Sequence, residues 1–116
     1  MLEVAIALLL FCYLGLLALP GPELQLVIGG VAALVGLVGG GAAGIVYHFA
    51  LRRTLLRIEQ STRGWLWSPV SRHAALDDRG QGEVLPWFRL GAAGFVLCLA
   101  GIGLLTVAVL RAAFAV

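Results

Sequence analysis

The side chains with which this 116-residue chain could build a reactive site are few: two histidines, two cysteines and six acids. His48 could ligate a haem or a metal, or relay a proton. A bis-histidine haem needs a second histidine at similar depth, and the sequence puts His73 in a connecting segment. The expected role of His48 is therefore an interfacial hydrogen bond. Cys12 and Cys98 lie in apolar runs at similar depth. A redox pair needs a thiolate and water, so both are expected to be small packing residues. Asp77, Asp78 and Glu83 gather near His73, and a solvated helix end accounts for them. No Ser-His-Asp arrangement, P-loop, GxGxxG or HExxH occurs, and no cysteine or histidine pair has metal-ligand spacing. No carboxylate interrupts an apolar run, which argues against ion translocation through a mid-membrane acid. The expectation is a non-enzyme without cofactor or metal.

Composition decides which elements must position these residues. The chain is 61% hydrophobic and 12% charged, where a soluble domain runs nearer half apolar and a quarter charged. A chain this short cannot bury so much apolar surface in a water-facing fold. Three stretches carry no charge: Val4 to Pro22, Leu24 to Leu51 and Leu90 to Leu110. A hydrocarbon core takes about 20 helical residues, and only helices or closed barrels satisfy the backbone there. The fold class is all-α, a single membrane domain over residues 1–116 with three spans. These are placed at approximately 2–19, 24–51 (the helix continuing to about 62) and 88–110. The run from Leu2 to Leu19 reads as a retained helix, because it lacks a basic leader and an A-x-A site. Pro20-Gly21-Pro22 forces a tight turn, and Glu23 suits the first turn of the second helix.

The connection at 52–87 carries most of the charge. With its flank it holds seven arginines (52, 53, 57, 63, 72, 79 and 89) against one elsewhere, Arg111. This asymmetry predicts a cytoplasmic loop, with the N-terminus cytoplasmic and the C-terminus external, in a cell (inner) membrane. Tyr47, Phe49, Trp65, Trp67, Trp87 and Phe88 fall near the same boundary, where amphipathic rings prefer to sit. Ser68, Pro69 and Gly80 signal a short interfacial helix, followed by a solvated turn over Asp77 to Gly82. Arg52, Arg53, Arg57, Arg63, Trp65 and Trp67 are the candidates for docking anionic lipid headgroups or a partner. A net charge of +2 is too weak to imply nucleic acid.

Glycine is the most specific signal. Gly36-x-x-x-Gly40-x-x-x-Gly44 forms a ridge on the second helix, extended by Gly29 and Ala33. Each glycine costs about 1 kcal/mol against alanine in an exposed helix, so the run needs a reason, and close packing of helix backbones in lipid supplies one. The third helix has a parallel seam through Gly91, Gly94, Cys98 and Gly101. Glycine zippers of this kind resemble those of oligomeric membrane rings and channels.

The expected function is a non-catalytic small multi-pass membrane subunit. It would pack through these glycine-rich faces against other membrane subunits or itself. One alternative is a pore former, since three spans at this length resemble phage holins in architecture alone. Another is a membrane-anchor subunit of a redox enzyme, similar in span count to succinate dehydrogenase anchors and leaning on His48. The topology is testable with Gln81→Cys in a background where Cys12 and Cys98 are alanine. An impermeant thiol reagent is expected to label it only after the membrane is opened; labelling in intact cells would overturn the orientation.

Overall fold

The computed structural model describes residues 1–114 and contains only helices and turns among them. Helix α1 spans Leu2–Ala18, α2 Pro22–Arg57 and α3 Asp78–Phe114, and a 3₁₀ segment, Pro69–Ala75, lies between the last two. Helices α2 and α3 are each long and apolar enough to cross a membrane; α1 is apolar but has only 17 residues.

The chain divides into two compact units. The first comprises Met1–Gly36 and Val96–Val116. Its α2 and α3 segments meet backbone to backbone: a Cβ on Gly29 would come within 2.9 Å of the Gly101 carbonyl oxygen and of the Leu104 Cβ. Gly101 in turn faces Ala33 and Gly29. Tyr13 on α1 donates its hydroxyl proton to the Ala100 carbonyl at 2.7 Å. The turn between α1 and α2 is held by two polar side chains. Gln25, fully buried, donates its amide protons to the carbonyls of Leu16 and Leu17, at 3.0 and 2.8 Å. Those carbonyls belong to the last turn of α1, where no intrahelical donor remains. Arg111 donates to the Pro20 carbonyl at 2.5 Å.

The second unit, Leu37–Phe95, has a core of Tyr47, Ala50, Leu51, Leu55, Leu76 and Val84. Leu51, Leu55 and Val84 are wholly buried. The start of α3 lies tight against α2, since a Cβ on Gly80 would stand 2.6 Å from the Thr54 methyl. Further along, a Cβ on Gly40 would meet the Gly94 backbone at 3.0 Å, and one on Gly91 would touch Gly44 at 3.5 Å.

Three sequence expectations are corrected here. Helix α2 stops at Arg57 and does not reach Thr62. Glu59 adopts a left-handed φ of 58°, its N–H bonds to Leu56 O, and Gln60 N–H bonds to Leu55 O. This paired pattern is the Schellman stop, here with glutamate in place of the usual glycine. Helix α3 begins at Asp78, ten residues before the expected 88. Asp77 acts as its N-cap, accepting the Gly80 N–H at 2.7 Å. The segment expected as a solvated turn, Asp77 to Gly82, is thus mostly the first turns of that helix. Pro86 lies inside it, where it removes one backbone bond without ending the helix. The short loop helix is a 3₁₀ segment that ends at Ala75, well before Gly80.

The left-handed residue yields a prediction. Glu59→Gly is expected to stabilise the end of α2 by about 1 kcal/mol, because glycine occupies this conformation without a Cβ clash. Thermal unfolding in detergent should move upward; an unchanged or lower midpoint would contradict the stop geometry.

Candidate functional site

The residues with chemistry collect in the second unit, around Tyr47. The 3₁₀ segment Pro69–Ala75 brings His73 to α2, where its Nε2 lies 2.5 Å from the Tyr47 hydroxyl. The Tyr47 ring meets Phe88 at 5.3 Å and His48 at 5.1 Å between centroids, and His73 packs edge-on to Phe88 at 5.0 Å. A neutral His73 with its proton on Nδ1 accepts the phenol proton at Nε2, so both groups are satisfied. Burial among these rings pushes the His73 pKa below its ordinary 6.5.

His48 stands on the other side of Tyr47. Its Nδ1 is 2.8 Å from the Gly44 carbonyl oxygen. A carbonyl only accepts, so Nδ1 carries the proton, and in the neutral ring Nε2 keeps its lone pair. Trp65 rests on the same ring at 5.9 Å. The loop returns to this place through Gly64, whose φ of +73° a side chain would strain. Trp65 N–H bonds to Thr62 O and Ser68 N–H to Gly64 O, closing the turn. Trp65 and Leu66 thereby cover part of α2 and leave a cleft of about 390 Å3, lined by Gly41, Gly44, Ile45, His48 and Phe49.

The charged rim divides into paired and free arginines. Arg57 holds Asp77 through both guanidinium nitrogens, at 3.2 and 3.3 Å. That contact, with the Gly80 N–H, keeps the Asp77 carboxyl below the usual carboxylate range. Arg79 pairs with Glu83 at 2.9 Å. Arg72 donates to the Arg63 carbonyl. Arg52, Arg53 and the Arg63 side chain stand exposed, and Trp67 is 89% exposed.

Of the small-residue positions singled out in the sequence, the structure brings Gly29 and Ala33 to Gly101, Gly40 to Gly94 and Gly44 to Gly91, all within the chain. Gly36 is buried, and Cys98 is half-buried with a free thiol, as Cys12 is free and exposed. Among the described residues, no three His, Cys, Asp or Glu side chains gather as metal ligands. The sequence reading missed Gln25 and the Tyr47–His73 pair. Gln25 had a signal, since a lone amide one turn into an apolar helix must find partners. The pair had none, because it joins residues 26 apart through an irregular loop.

The searches found no matching family model, no matching curated protein and no matching solved structure.

The His73 environment gives a pH prediction. A histidine with a depressed folded pKa leaves docking of the loop intact above pH 6.5 and weakens it as pH falls below that value. Limited proteolysis of the 58–77 segment should accelerate several-fold between pH 7.5 and 5.5. His73→Phe, which keeps an apolar ring there, should flatten the profile; an equally steep profile in that variant would show that another group titrates.

Proposed function

We propose that this chain is a small, non-catalytic, multi-pass membrane subunit that associates with other membrane proteins or with itself. On this reading α1, the apolar part of α2 and the apolar part of α3 all cross the bilayer. The arginine-rich connection lies on the cytoplasmic side. Support for membrane residence is the outward apolar surface: only 17% of the most apolar window of α2, and the same share of α3, is buried. Helix α1 has no buried residue at all. The core helix of a soluble protein would be covered on most sides. In lipid such exposure carries no penalty, because the surroundings are as apolar as leucine.

The observation that carries association is glycine that packs nothing within the chain. Gly30 and Gly39 have no atom within 4 Å of where a Cβ would stand. Each still lowers helix propensity by about 1 kcal/mol against alanine. A helix from a second chain would use that space, as small residues permit close backbone approach in bilayers. Gly29 and Gly40, by contrast, already meet α3 within the chain, so a contact with another chain would run beside them.

This separation provides the test. Gly40→Leu drives a side chain into the Gly94 backbone and should destabilise the fold by about 1–3 kcal/mol, as overpacking does. Gly30→Leu and Gly39→Leu enter open space and should leave thermal stability at or above the parent. At least one of those two should lose co-purification or crosslinking in mild detergent. If both associate as the parent does, the open glycines are not a contact face, and the association reading fails.

A further inference from the structure

We propose that the cleft between α2 and the Trp65–Leu66 turn holds one acyl chain of an anionic phospholipid, with its phosphate at Arg52 and Arg63. The inference rests on the reading of the chain as an integral membrane protein and adds a specific lipid site to it. Three observations converge within the second unit.

The floor of the cleft is bare backbone. Gly41 and Gly44 have nothing within 4 Å of a Cβ position, so the groove has the depth of a missing side chain. Its walls are Ile45, Phe49, Trp65 and Leu66, all apolar surfaces suited to hydrocarbon. No other part of the described chain fills it.

The cleft is also walled on purpose by the loop. A left-handed glycine and two backbone bonds return Trp65 and Leu66 to α2. The carbonyl of the preceding residue, Arg63, is fixed by Arg72. Trp65 is held by the His48 ring, and His48 by the Gly44 carbonyl.

Charge then selects the occupant. Arg52 follows His48 by one helical turn, and Arg63 precedes Trp65 by two residues. Both are exposed and carry no ion pair among the described residues, whereas Arg57 and Arg79 are matched to Asp77 and Glu83. Arginines placed one helical turn beyond His48 and two residues before Trp65, next in the chain to residues that line the groove, complement a phosphodiester carrying a hydrocarbon tail. A zwitterionic lipid brings a choline cation toward the same arginines and is disfavoured. A partner protein's acidic segment would match the charge but not the glycine-floored apolar groove.

The test uses the full chain with Trp67→Phe and Trp87→Phe, so that Trp65 is the only indole. It is reconstituted into phosphatidylcholine vesicles that contain a dibrominated phosphatidylglycerol or a dibrominated phosphatidylcholine at equal mole fraction. Bromine quenches the indole on contact. The phosphatidylglycerol probe should quench Trp65 at several-fold lower mole fraction than the phosphatidylcholine probe. Gly41→Leu, which fills the groove from an open position, should remove most of that quenching. Arg52→Gln with Arg63→Gln should equalise the two probes. Val46→Leu, about 140° round α2 from Gly41 and outside the cleft lining, should change nothing. Inorganic phosphate at millimolar concentration should not relieve the quenching, because it lacks the chain; relief would mean a soluble-anion site and overturn the lipid assignment. Equal quenching by both probes in the parent, or persistence in Gly41→Leu, would also overturn it. A protein that fails to enter the vesicles refutes the membrane reading itself, whereas one that inserts and shows no preference refutes only the lipid site.

Discussion

The structure depends on satisfying backbone polar groups where long apolar helices end and turn. The apolar stretches can do so only as helices, and the places where helices end or turn then need donors and acceptors from side chains. Gln25 supplies both amide protons to the last carbonyls of α1. Arg111 reaches the Pro20 carbonyl. Asp77 accepts an N–H at the start of α3. His48 bonds the Gly44 carbonyl. Polar residues are few in this chain, and most of those with defined partners serve the backbone.

Glycine carries the other half of the design. In each unit α2 and α3 meet through small residues, Gly29 and Ala33 with Gly101 in one, Gly40 and Gly44 with Gly94 and Gly91 in the other. Close approach raises the number of dispersion contacts, the main attraction available between helices in lipid. The glycines that remain open have a different meaning. They leave space outside the intrachain contacts, and the proposals for a second chain and for a bound lipid both draw on that space at different positions.

The sequence made the helical class and the two long apolar helices legible, because uncharged runs of this length have few physical outcomes. It also singled out the glycine positions that meet across α2 and α3. Helix ends were harder to read. Glu59 stops α2 in a conformation usually left to glycine, so no glycine marked the end. Asp77-Asp78 carries an N-cap signal, but Asp77 to Gly82 reads as a solvated turn, although all of it after Asp77 lies inside α3. The cluster of Tyr47, His73 and Phe88 depends on where an irregular loop folds back, and no local spacing encodes that.

The central claim is that this chain lives in the bilayer as an integral protein. Alkaline carbonate extraction of membranes from cells expressing it tests that most directly, since charge-held proteins leave the membrane and spanning ones stay. The expected result is retention in the pellet, with release only by detergent. Recovery in the carbonate supernatant as dispersed protein would contradict the claim.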